Sequence, residues 1–109
     1  MYAVPTEKSR YVGTRYIGIH AAASAEAEAA LEWYSARSAF AAFAFLLELN
    51  HAVTSVSETP QRWPRHEKNI RKYVFPKFPF VLYYQLTEQK IQIIAVAHSK
   101  RRPDYWKNR

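Results

Sequence analysis

The chain has 109 residues, of which 49% are hydrophobic and 16% aromatic, and it carries a formal net charge of +7. That is enough apolar mass for the core of one domain, and it excludes both a two-domain chain and a disordered tail. With no cysteine, disulfides and thiolate catalysis are excluded and a reducing compartment fits. No apolar run approaches the ~20 residues of a membrane span, and residues 1–10 lack the apolar core of a secretory signal. A cytoplasmic location without membrane contact is therefore expected.

Taken in order, residues 1–12 are polar, contain a proline and show no period, so a loose arm is expected before a single domain over 13–109. Residues 14–20 alternate, with Ile17 and Ile19 on one side, which predicts a first strand facing the core. Gly18 in its middle is a weak point or a place of close approach. Residues 22–37 are rich in Ala and Glu and predict a helix. Ala23, Ala27, Ala30, Leu31 and Tyr34 make its apolar stripe, and Glu26, Glu28 and Glu32 cover much of the rest.

Residues 39–57 predict a longer second helix. Ala42, Phe45, Leu49, Ala52 and Val56 recur at three- and four-residue steps, while Phe40, Phe43 and Leu47 lie on another side. These three either pack under the first helix or form an exposed docking patch for a partner. Thr59-Pro60 ends the helix, because a residue before proline avoids the helical region. Residues 60–68 then read as a proline-punctuated connection, with Trp63 at the edge of the core.

Three β-branched and aromatic runs follow, at 70–75, 80–86 and 90–98. The break at 87–90 is short enough for a hairpin. In the second run Phe80, Leu82, Tyr84 and Leu86 share a face. In the third, strict alternation puts Ile91, Ile93, Ala95 and Ala97 on one face and Gln92, Ile94, Val96 and His98 on the other. The expected fold class is α+β: an N-terminal strand, a two-helix hairpin, then a three-stranded antiparallel meander packed on the helices.

Charge divides unevenly along this plan. Residues 1–59 hold four basic and six acidic side chains, net −2, whereas residues 60–109 hold twelve and three, net +9. The meander half wants an anionic partner, either nucleic acid or an acidic protein segment. The four histidines lack metal-ligand spacing, so neither a metal site nor a cofactor is expected. What remains is a basic and aromatic cluster: Arg71, Lys72, Lys77, His98, Lys100, Arg101, Arg102 and Tyr105, with Arg65 just before it. Such a set can bind a phosphate backbone. It can also cleave RNA without a metal if a base, cations for the phosphate and an acid for the leaving oxygen converge. Lys72, His98, Arg101 and Tyr105 are the candidates for those roles, with Arg65, Arg71, Lys77, Lys100 and Arg102 binding the target.

The Phe78-Pro79-Phe80 entry into a strand, the run from Ile93 to His98 and the ending Arg101-Arg102-Pro103-Asp104-Tyr105-Trp106 together resemble the RelE/ParE superfamily of type II toxins, over about residues 14–109. The resemblance implies a growth-inhibiting toxin of a plasmid-stabilisation module. It also implies a cognate antitoxin that binds it in a hetero-oligomer, for which Phe40, Phe43 and Leu47 are the expected contacts. RelE-like members cleave messenger RNA on the ribosome. Their pattern places Lys72 on a catalytic lysine and Tyr105 on the tail tyrosine, but Val74, Val81 and Ser99 stand where further basic residues are expected. ParE-like members act on DNA gyrase, and the Phe-Pro-Phe entry and Val-Ala-His ending look closer to that branch, which implies an action on gyrase or on a target still to be identified. The alternatives are a RelE-like endoribonuclease and a harmless basic module that binds nucleic acid.

Overall fold

The structure, a computed structural model, describes the backbone of residues 8–12 and the whole of residues 15–109. Six strands and two helices follow in the order β1 (Lys8–Val12), β2 (Arg15–Ile19), α1 (Ala21–Ser35), α2 (Ala39–Glu58), β3 (Arg65–Glu67), β4 (Ile70–Val74), β5 (Phe80–Leu86) and β6 (Lys90–His98). They form one sheet in the order β1-β2-β6-β5-β4-β3. Neighbours are antiparallel except β2 and β6, which run parallel, with Ile17 opposite Ile91 and Ile19 opposite Ile93. Both helices lie in the connection that leaves β2, and the meander returns its last strand beside it. This is the expected α+β plan with two strands added.

Those two strands correct the sequence reading. Residues 8–12, expected in a loose arm, pair antiparallel with β2; residues 1–7 lie outside the described residues. The connection at 60–68 contains β3, a short edge strand on β4. Both are short edge strands with polar sequences, paired along one side only, and such strands show no clear alternation.

Each helix begins on a side-chain cap. His20 Nδ1 accepts from the Ala22 N–H at 3.0 Å, and Ser38 Oγ accepts from the Ala41 N–H at 3.2 Å. In α2 the predicted stripe is the buried one: Phe45, Ala52 and Val56 are fully enclosed. Phe45 is the hub, its ring 5.2 Å from Tyr34, 5.3 Å from Phe78 and 5.3 Å from Phe80. α2 also has the length, 20 residues, and the mean hydropathy, 1.4, to cross a membrane. That exceeds the sequence expectation, and the greasiness has two sources: one stripe that fills the core and a second that faces outward.

Strict alternation fails in β6. Tyr83 stands opposite Ala95 while Tyr84 stands opposite Ile93, so Ile94 is an extra residue, a β-bulge. Past it every side chain changes face. Val96 opposes Leu82 and enters the core, whereas Ala95 and Ala97 turn to the open face. The expected grouping of Ala95 and Ala97 with Ile91 and Ile93 is therefore wrong beyond the bulge. Gly18 is a place of close approach: a Cβ there would lie 2.7 Å from Oε1 of the buried Gln92.

Candidate functional site

The basic ending of the chain folds back over the open face of the sheet, the face away from the helices. Trp106 is buried against Tyr83, 4.6 Å between ring centroids, and lies 5.5 Å from His66 of β3. At one end of this crossing, His66 Nε2 lies 2.8 Å from Asp104 Oδ1. At the other, the tail meets α1 through Glu26. The Tyr105 hydroxyl donates to Oε2, and Arg109 donates from Nη1 and Nη2 to both carboxylate oxygens at 2.9 Å. The Val96 N–H donates to Oε1 at 3.0 Å, and Arg109 also donates to the Ile94 carbonyl at 3.2 Å.

This arrangement answers a definite structural need. β2 pairs with β6 only as far as Ile93, so beyond the bulge the outer edge of β6 has free N–H and C=O groups. Glu26 and Arg109 satisfy one of each, as a neighbouring strand would. Burial pushes the Glu26 carboxyl up, but the hydrogen bonds from Arg109, Tyr105 and Val96 outweigh it and hold the group below its ordinary range. Burial, then the Glu26 carboxylate, push the Tyr105 hydroxyl far above the ordinary tyrosine range. Nothing in the Ala/Glu pattern of residues 22–37 separates Glu26 from Glu28 and Glu32; only the fold does.

The four candidate catalytic residues are not gathered. Lys72 sits on the open face opposite Tyr83. His98 stands opposite Phe80 on the helix side of the sheet, 5.2 Å ring to ring, and its Nδ1 accepts from the Lys100 N–H at 3.1 Å. Arg101 lies 3.8 Å over the Tyr105 ring and 4.0 Å from Glu26. Only Arg101 and Tyr105 are neighbours, and Glu26 occupies both. The target-binding candidates are spread as well. Arg71 seals the edge of the core, donating to the carbonyls of Trp63 at 2.7 Å and Gln61 at 3.1 Å. Lys77 lies in the proline loop, whose Lys77 and Phe78 N–H groups Glu48 of α2 accepts. Arg65, Lys100 and Arg102 are exposed.

The apolar candidates are different. Phe40, Phe43 and Leu47 are 82%, 59% and 54% exposed, so packing under the first helix is not their role. At i, i+3 and i+7 they make one outward stripe on α2. Beside it, α1, α2 and the sheet enclose an open groove of about 790 Å³, lined by Ile19, Ala27, Leu31, Leu46, Leu49 and Val53 among others. Leu46 belongs to both features: it lines the groove and is 37% exposed. Together the stripe and the groove make a continuous apolar surface on the helical side of the described residues.

An apolar helical hairpin on one side and a basic tail across the other side of the sheet define the two surfaces of a small α+β domain. One solved structure, described as "Chromosomal ParDE TA system from P. aeruginosa", contains a chain of this fold, with a TM-score of 0.69 at 15% identity, covering 80% of this chain and 98% of that one. No curated protein matches the sequence. Residues 17–103 match the family described as ParE toxin of type II toxin-antitoxin system, parDE, and the chain belongs to that family.

Proposed function

We propose that this chain is the growth-inhibiting half of a type II module and acts in the cytoplasm on DNA gyrase, without cleaving RNA. The observation that carries the second part is the state of Tyr105. Its hydroxyl is committed to Glu26 and its proton is held tightly, while Lys72 and His98 lie on opposite faces of the sheet. A metal-free ribonuclease needs its base, acid and phosphate-binding cations around one scissile bond. Family membership supports the ParE-like reading, and the exposed Arg65, Lys100 and Arg102 are the cations left for the target.

The neutralising partner is an antitoxin whose apolar, acidic segment orders on binding. Its apolar side covers Phe40, Phe43 and Leu47 and enters the neighbouring groove, a helix-in-groove mode of recognition. Acidic side chains of that segment suit the meander half, residues 60–109, which carries the net +9, and not the helices, which belong to the half of net −2. Induced alone, the toxin stops growth, and co-expression with its antitoxin restores it. Phe40→Ser/Phe43→Ser remains toxic but escapes rescue. Normal growth with verified soluble protein would contradict the toxin reading; full rescue of the double variant would contradict the proposed contact.

A further inference from the structure

The sequence offers no metal-ligand spacing, yet the fold creates a set of ligands. His66 and Glu67 lie on β3 and Asp104 in the tail, 37 residues beyond Glu67, and one donor atom from each lies within 4.8 Å of the others. We infer that these three side chains bind a divalent transition-metal ion, which pins the C-terminal tail to β3.

The donor set is one imidazole nitrogen and two carboxylate oxygens, the mixture that suits zinc and neighbouring first-row ions rather than calcium or magnesium. The imidazole is already held in place. Its ring is 5.3 Å from Tyr83 and 5.5 Å from Trp106, edge-on to both, and its Nε2 points at Asp104 Oδ1, 2.8 Å away. Asp104 adopts the left-handed conformation, φ 59°, which aspartate tolerates better than most residues. All three side chains are half-buried, at a seam between two segments and not on an open acidic surface.

A cation already occupies this seam. Lys107 Nζ lies 3.2 Å from Glu67 Oε1 and 3.8 Å from Asp104 Oδ2. Its ammonium balances the charge that a dication would balance. Binding is therefore an exchange: the ion takes the two carboxylates and the lone pair of His66 Nε2, the imidazole carries its N–H on Nδ1, and the exposed Lys107 swings away. With three protein ligands, water completes a tetrahedral shell. The bound ion ties the tail at its β3 end, while Glu26 holds it at the β6 end.

The test uses the full chain, stripped of any histidine tag and treated with chelator, titrated with Zn²⁺ by calorimetry and with Co²⁺ by visible absorption. One ion binds per chain. His66→Ala and Asp104→Asn each weaken binding by more than about a hundredfold, beyond what loss of a supporting partner costs, and His51→Ala on α2 leaves it unchanged. Lys107→Met, at an exposed position, tightens binding several-fold because the competing ammonium is gone. Co²⁺ also quenches tryptophan emission in the wild type and in Lys107→Met. Equal affinity in wild type, His66→Ala and Asp104→Asn would overturn the assignment. Should the ligand variants fail to fold, an unchanged or weaker affinity in Lys107→Met overturns it on its own, as does no binding by either the wild type or Lys107→Met.

Discussion

Replacing Glu26 by glutamine removes the charge that Tyr105, Arg109 and the Val96 N–H share, while keeping the shape of the side chain. Each half-buried donor left badly paired costs about 1–3 kcal/mol, so Glu26→Gln should lower stability by about that amount in urea unfolding. The sign with pH follows from the direction of the shift. The folded carboxyl titrates below its ordinary value of 4.5, so the stability it contributes is full above that value and is lost as pH falls through the folded one. Wild type should therefore lose stability below pH 4.5 faster than Glu26→Gln, and parallel acid curves for the two would refute the role given to this carboxylate. Tyr84 makes a related contact, its buried hydroxyl donating to the Pro60 carbonyl, and burial pushes its pKa up to about 12. Tyr84→Phe leaves that carbonyl unpaired and should cost about 1–2 kcal/mol by thermal or urea unfolding. At Gly18, alanine would push its Cβ against Gln92 Oε1. The expected cost is about 1 kcal/mol, and Gln92→Ala should remove most of it in a double-mutant cycle.

At the scale of elements, α2 presents two apolar stripes with opposite fates. Phe45→Ala opens a cavity among Tyr34, Phe78 and Phe80 and should cost about 3–5 kcal/mol. Phe43→Ser, on the exposed stripe, should change stability by less than about 0.5 kcal/mol. A large loss at Phe43 in the isolated chain would mean that this stripe is core after all. The period of residues 39–57 displayed both stripes and identified the core one, because a helix repeats its environment every three to four residues. It did not say whether the other was covered, since that depends on which elements lie outside it. The limits of the helices and of the meander strands were legible for similar reasons, being long and strongly periodic. β1 and β3 were not, because a polar edge strand is specified mainly by its partner. The bulge at Ile94 was hidden too: Ile93 and Ile94 are adjacent and identical in type, and only the pairing with Tyr83 and Tyr84 shows which one is extra.

For the whole molecule, the sequence indicated a positive half and a tail of mixed charge and aromatic character, but not which residues the tail closes onto as it crosses the sheet. That closure joins Glu26 to residues 105–109 and His66 to Asp104, contacts 38 to 83 residues apart. A residue list cannot foretell such pairings, and so the cations, read as one active cluster, separate into structural and exposed groups. Arg71 and Arg109 hold the fold, whereas Arg65, Lys100 and Arg102 remain available to a partner. The outward apolar stripe of α2 was thus legible, because periodicity carries it, whereas the placement of the basic and aromatic candidates was not, because only tertiary contacts decide which side chains meet. The most direct measurement is supercoiling of relaxed plasmid by purified gyrase in the presence of the wild type and of Tyr105→Phe, with ribosome-bound message assayed in parallel. Both proteins are expected to block supercoiling, and neither to cut the message. Undisturbed supercoiling, together with cleavage of translated message that disappears in Tyr105→Phe, would contradict it.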